Sequence, residues 1–344
     1  MVALESRPKS PETEKFVSSI HVGISRGKEV VYNSDSIKSR VGDIEKVYRA
    51  SETQTLSSML NDSVASIIDN IGTKQDFVGV STSFPNGTHL STDVVRMHSL
   101  ETDYVVDSIG ACSGGTYILV DLYNKIKEHK FDPKGKHFLF ASTEKYSPYL
   151  DPESLDAHIF TDIAVSIGGL EYGRNFEILG ALSRKLAPEH DGSLCMPVDK
   201  DNIRHPALYL PVPYAKSGLF EMDGPTVYKV VKGTVLPLLG DAAEEAHLRL
   251  KDLDYFIFHQ GSGRTNDGLI KAIYQKFPAY SPIIDKIVRD IFEGNASSGS
   301  GWKAFGSVLA RHRQESIPED TRNVAFVSFG AGIYGAAAIV QMRF

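Results

Sequence analysis

The stretch Asp107-Ser-Ile-Gly-Ala-Cys112-Ser-Gly-Gly-Thr116 holds one of only two cysteines in the chain. It follows a short β-rich run at 104–108 (YVVDS) and precedes 117–126 (YILVDLYNKI), a segment apolar on nearly every helical face, as a buried helix should be. Cys112 is therefore expected on a strand-to-helix turn, where unsatisfied N–H groups and the helix dipole favour the thiolate that attacks acyl carbonyls. The small neighbours Gly110, Ala111, Gly114 and Gly115 let a substrate approach closely. A free cysteine is more often plain packing; the glycine-rich turn is what raises Cys112 above that default. Cys195 lies in a polar loop without such a context and keeps the packing reading.

Working outward, short apolar runs alternate with longer helical patterns, which argues an α/β fold. Strands are expected at 16–25, 76–83, 104–108, 137–142, 163–170, 255–259, 324–329 and 334–342, several of them apolar throughout, as strands covered on both faces are. Helices are expected at 51–70, 115–129, 225–239 and 266–277, with a further one from Trp302 onwards. Between residues 186 and 213 the pattern collapses into LAPEHDGSLCMPVDKDNIRHPALYLPVP, a long loop. The expected division is an N-terminal half at 14–182, a connector at 183–212 and a C-terminal half at 213–344.

Composition bounds the function. The 344 residues are 42% hydrophobic and 23% charged, an ordinary globular balance, and the net charge of −6 lacks the footprint of a nucleic-acid binder. Two thiols make neither a disulfide framework nor a four-cysteine zinc site, which favours a reducing, cytoplasmic setting. The N-terminus (MVALESRPKSPETEK) has no apolar core of a signal peptide, and no run is long enough to span a bilayer. No HExxH, CxxC or carboxylate cluster with ligand spacing occurs, so no metal is implied.

Two further segments have chemistry of their own. His259 ends an apolar strand and opens a small, polar turn (His259-Gln-Gly-Ser-Gly-Arg264), an unusual flank for a packing histidine. Asn295 lies in Gly294-Asn295-Ala-Ser-Ser-Gly-Ser-Gly301, which alone reads as a turn before a helix. Gly110-Ala-Cys112-Ser-Gly114 also has the G-x-nucleophile-x-G form of a hydrolase elbow, and the residues alone leave that reading open. Gly330-Ala-Gly-Ile-Tyr-Gly335 matches G-x-G-x-x-G, but no βαβ unit follows it within the 344 residues, so a dinucleotide site is set aside.

Taken in order, these segments resemble the β-ketoacyl-acyl-carrier-protein synthase III group of the thiolase superfamily. Asp107–Gly115 is similar to its D-x-x-A-A-C-A-G-F, His259–Thr265 to H-Q-A-N-x-R-I, and Gly294–Ser300 to G-N-T-S-A-A-S. Phe329–Ala336 is similar to F-G-x-G-x-x-x-G-A, and Met222–Lys229 more weakly to M-x-G-x-x-V-F-K. The resemblance runs from about Val41 to Phe344. It implies a thiolase-like fold of two pseudo-equivalent αβαβα halves, with the nucleophile at the start of a buried helix and a catalytic set of Cys112, His259 and Asn295.

By the same resemblance, an acyl group passes from coenzyme A or an acyl carrier protein to Cys112 and is condensed, with loss of carbon dioxide, with a malonyl- or β-ketoacyl-thioester. The pathway would be fatty-acid-like or secondary-metabolite biosynthesis. The oxyanion hole would be the amides of Cys112 and Ala331, and Arg264 and Arg40 would meet the carrier or coenzyme A. His89 and Leu90 would reach the pocket of a partner subunit, in a homodimer or in a pseudo-dimer with a paralogue. No cofactor is bound permanently; the phosphopantetheine thioester is substrate.

Departures matter. Ser113-Gly-Gly-Thr116 replaces A-G-F and resembles 3-hydroxy-3-methylglutaryl-CoA synthases, but the stretch 81–85 (STSFP) lacks their upstream glutamate. Trp302 is the only tryptophan, so none stands where the family often stacks one on adenine. The alternatives are a non-condensing acyltransferase to an alcohol or amine, and an inactive paralogue that pairs with an active partner.

Overall fold

The structure is a computed structural model that describes residues 20–83, 89–186, 224–276, 278–330 and 334–344. Its first sheet has five strands in the order β1-β7-β6-β4-β5: β1 (His21–Arg26), β4 (Phe77–Ser81), β5 (Tyr104–Ser108), β6 (His137–Glu144) and β7 (Ile163–Glu171). The second has four, ordered β8-β11-β10-β9: β8 (Phe176–Lys185), β9 (Tyr255–Phe258), β10 (Thr321–Gly330) and β11 (Tyr334–Arg343). A small hairpin of β2 (Glu29–Tyr32) and β3 (Lys46–Arg49) stands apart.

The two sheets repeat one pattern. β1 pairs antiparallel with β7, β7 antiparallel with β6, and β6 parallel with β4. β8, β11, β10 and β9 follow the same order and directions. Where the first sheet adds β5 parallel to β4, the second has only an isolated parallel bridge from Phe256 to Ile287. This is the duplicated architecture that the resemblance implies. β8 hydrogen-bonds to β11 of the second sheet, so the expected boundary at residue 182 falls inside this strand. Its two sides alternate toward the middle layer and α5, which hid its allegiance in the sequence. Most of the expected connector lies outside the described residues.

The layers follow from where apolar faces find cover. Helices α4 (Gly114–Lys127) and α7 (Ser300–Gln314) lie between the sheets, each touching strands of both. The central core joins Ile118, Leu119 and Leu122 of α4 to Trp302, Phe305 and Val308 of α7 and to Phe138, Phe140 and Phe326 of the sheets. Helices α2 (Leu56–Ile71) and α3 (Leu90–Met97) cover the outside of the first sheet, and α5 (Gly224–Glu245) with α6 (Gly263–Lys276) the outside of the second. The expected helix from residue 51 begins later because Thr55 and Ser58 form a reciprocal capping box. Helix α1 (Asp35–Val41), capped by Ser34, crosses beside the start of α6.

Phe140 is fully buried and stacks on Trp302 at 5.5 Å and 4°, joining sheet to central helix. Phe140→Ala is expected to lower unfolding free energy by about 3–5 kcal/mol. Urea denaturation at unchanged m-value measures this; a loss below about 1 kcal/mol would contradict the assigned role of the stack.

Candidate active site

Cys112 lies in a short 3-10 turn, Ala111–Ser113, between β5 and α4. Ala111 carries the strain of this turn, with φ +46, a left-handed conformation that costs a non-glycine residue about 1–3 kcal/mol. The second half repeats the device: the turn Ser297–Gly299 precedes α7, and Ser297 has φ +46. The two turns meet. A Cβ on Gly115 would lie 2.5 Å from the carbonyl oxygen of Ser298 and 2.9 Å from Trp302 Nε1, so only glycine allows this approach. From the far side, a Cβ on Gly330 would lie 2.8 Å from Ser113 Oγ and 3.0 Å from the carbonyl oxygen of Gly110, which places the end of β10 against the nucleophile turn. Ala331, the expected second oxyanion donor, falls just beyond, outside the described residues.

The side chains of these loops form a connected set. Ser297 donates its hydroxyl to Cys112 Sγ at 3.4 Å, and its amide donates to Asn295 Oδ1 at 2.8 Å. That amide fixes the orientation of the Asn295 carboxamide: Oδ1 is taken, and Nδ2 is left as a donor with no protein partner among the described residues. His259 is buried just past β9, its ring edge-on to Phe329 at 4.9 Å, with Nδ1 2.8 Å from the Ser300 hydroxyl. If that hydroxyl donates to Nδ1, the neutral ring carries its proton on Nε2 and offers it as a second neutral donor. Cys112 and Asn295 are thus joined through Ser297, and His259 is held by Ser300 of the same loop.

Electrostatics correct one expectation. The helix-start setting of Cys112 predicted a thiolate; instead burial, reinforced by the Glu144 carboxylate, pushes the thiol up to about 12 against the pull of Ser297 and the backbone. The resting cysteine is a neutral thiol at physiological pH. Burial alone pushes His259 down to about 3, so its imidazole is neutral too.

Other expected residues fall as follows. Arg264, in the first turn of α6, donates to the carbonyl of Ser39, the neighbour of Arg40, and both arginines are exposed. His89 is exposed, with Nδ1 3.6 Å from Asp107 Oδ2, while Asp107 Oδ1 accepts the Ser91 amide at the start of α3. Leu90 is 3% exposed, in one buried cluster with Met59, Leu60 and Val94. Cys195 and Met222 lie outside the described residues.

The sequence reading missed Glu144, Tyr146, Ser83 and Ser297. Glu144 ends β6 fully buried and accepts the Ser83 amide at 3.0 Å, the Ser298 amide at 3.2 Å and the Ser298 hydroxyl. A glutamate therefore does touch the 81–85 stretch, from a different strand. Its only signal was a charged residue at the end of an apolar run. Among the described residues no group of three His, Cys, Asp or Glu side chains could hold a metal, and no helix is long and apolar enough to cross a membrane.

No family model matches the chain. Its fold is nevertheless that of the thiolase superfamily. The β-ketoacyl-acyl-carrier-protein synthase III of Thermus thermophilus superposes with a TM-score of 0.74 over 92% of this chain and 97% of that one, at 20% identity. The priming β-ketosynthase of the R1128 polyketide pathway gives 0.71 over 93% and 94%, at 23% identity. In sequence, β-ketoacyl-acyl-carrier-protein synthase III of Fusobacterium nucleatum is 24% identical over 327 residues, covering 92% of this chain and 93% of the relative. The chain resembles synthase III along nearly its whole length.

The neutral His259 sets a pH dependence. A group whose folded pKa is depressed from 6.5 to about 3 contributes stability that is present above 6.5 and lost as pH falls toward 3. The thermal midpoint of the wild type should fall more steeply below pH 6.5 than that of His259→Asn. Equal slopes would show that the imidazole is not buried neutral.

Proposed function

We propose that the protein is a condensing enzyme in which Cys112 carries an acyl group, and His259 and Asn295 stabilise the enolate formed when a malonyl- or β-ketoacyl-thioester loses carbon dioxide. The observation that carries this reading is the donor pair: Asn295 and His259 are buried, neutral side chains whose Nδ2 and Nε2 have no protein partner among the described residues. An enolate oxygen needs two neutral donors and no base, because decarboxylation, not proton abstraction, generates the carbanion. A neutral imidazole donates without first losing a proton, which suits the depressed pKa of His259.

The acylation step runs from Cys112 to the carbonyl of an acyl thioester, with the amide of Cys112 and that of Ala331 proposed to receive the tetrahedral oxyanion; the press of Gly330 on the nucleophile turn supports that placement. Arg40 and Arg264, together beside α1, are proposed to meet the phosphates of a carrier protein or of coenzyme A. The donor and acceptor would be phosphopantetheine thioesters. A homodimer is proposed through β5, an edge strand whose Val105 is 41% exposed beside Met97 at 61%; pairing with a second β5 would cover both. His89 lies near that edge, beside Asp107 of the same strand.

Incubation with an acyl-carrier-protein or coenzyme A thioester should add one acyl mass to the intact wild type and none to Cys112→Ser. With a malonyl thioester following, carbon dioxide should be released in step with the loss of that mass. Asn295→Ala should slow that release about a hundredfold to a thousandfold while leaving acylation within a few fold. Acyl loss to an alcohol or amine with no carbon dioxide would instead establish the non-condensing reading.

A further inference from the structure

A fully buried carboxylate and three buried hydroxyls stand behind Cys112, and the condensing chemistry uses none of them. Ser83 Oγ and Tyr146 OH each lie 2.8 Å from Ser297 Oγ, and 3.0 Å from one another. Ser297 in turn donates to Cys112 Sγ. A triangle of three hydroxyls has three protons to place. Tyr146 hydrogen-bonds both Ser297 and Cys112, and the Ser83 side chain also hydrogen-bonds Glu144, so the hydroxyls run as a chain from the sulfur to the carboxylate. Glu144 closes the other end, receiving the amides of Ser83 and Ser298 and the Ser298 hydroxyl.

We propose that Glu144 is the base that takes the Cys112 proton, through Ser297 and Ser83, when the thiol attacks its acyl donor. Ser297 first turns its hydroxyl from the sulfur to Ser83, and Ser83 its own to Glu144; the S–H bond then breaks as Ser297 Oγ receives its proton, Ser297 passes its own to Ser83, and Ser83 passes one to Glu144, whose carboxylate becomes a carboxylic acid. The electron pair stays on sulfur and forms the new S–C bond to the acyl carbonyl. When the donor's pantetheine thiolate leaves, it takes a proton back over the same hydroxyls, and the carboxylate is restored. This rests on Cys112 being the nucleophile of the proposed reaction.

The alternative acceptor is His259, and it is the poorer one. Burial holds it near 3, whereas burial raises Glu144 to about 7 despite the Ser298 and Ser83 hydrogen bonds that pull it down. His259 also has its Nδ1 engaged with Ser300, and among the described residues no hydrogen bond joins it to the sulfur. The titratable groups that face Glu144 are Cys112 and Tyr146, both pushed upward by burial. Its chain neighbour Lys145 reaches the carbonyls of Ser51 and Gln54, and Asp162 accepts the amides of Ala50, Tyr146 and Ser147.

Alkylation of Cys112 by iodoacetamide tests this without any acyl donor, so failure of the condensing reading would not be mistaken for failure of the relay. The wild-type rate should rise through an inflection near pH 7, reach a plateau, and rise again only as the thiol itself ionises. Glu144→Gln should lose the plateau, slowing alkylation at pH 8 about a hundredfold or more; Ser297→Ala should do the same with Glu144 intact, and His259→Ala should leave the profile unchanged. If Glu144 acted only as a nearby charge, removing it would lower the thiol's pKa and make Glu144→Gln faster. That acceleration, a wild-type profile without the inflection, or an inflection abolished by His259→Ala would each overturn the proposal. Should Glu144→Gln not fold, Ser297→Ala and Ser83→Ala carry the same test.

Discussion

The close approach of Gly115 to the carbonyl of Ser298 is the contact on which this molecule depends. It is where the first helix of the middle layer meets the turn that starts the second, and it leaves no room for a methyl group. Because the two halves repeat one topology, their strand-to-helix turns are equivalent places in equivalent units, and packing α4 beside α7 brings them face to face. Cys112 comes from one turn; Ser297, Asn295 and Ser300 come from the other. The site is thus a consequence of duplication: neither half could build it alone.

Burial then decides the protonation states. A thiol near 12 and an imidazole near 3 leave both groups uncharged at neutral pH, so the resting site holds no ion pair between them. Glu144 is the only one of these three groups whose pKa, about 7, lies close to physiological pH. On the proposed reading, the arrangement would separate two jobs that one histidine is often asked to do: neutral donors for the enolate, and a proton acceptor for the thiol.

Much of this was legible in the sequence because the periodicity of buried elements is strong. The β5–turn–α4 unit was readable from YVVDS, the glycines and the apolar helix that follows, and β4, β6, β7, β9, β10 and β11 all fall within a few residues of their expected bounds. The β2–β3 pair was not, because its strands are only four residues long and mix charge with apolar residues. The membership of β8 was not, because strand pairing is a long-range property. The charge states were the largest gap. A helix-start cysteine argues for thiolate from local sequence, but desolvation depends on everything packed around the sulfur, and Glu144 arrives from a strand thirty-odd residues away.

On the proposed reading, two loops of the second half present two neutral donors to one oxygen beside Cys112 of the first half. A crystal structure of the acylated enzyme with a non-decarboxylating malonyl thioester analogue tests it most directly. The account predicts the analogue's thioester oxygen within about 2.7–3.2 Å of both His259 Nε2 and Asn295 Nδ2. An oxygen held by neither side chain, with the acyl group on Cys112 pointing away from both, would contradict it.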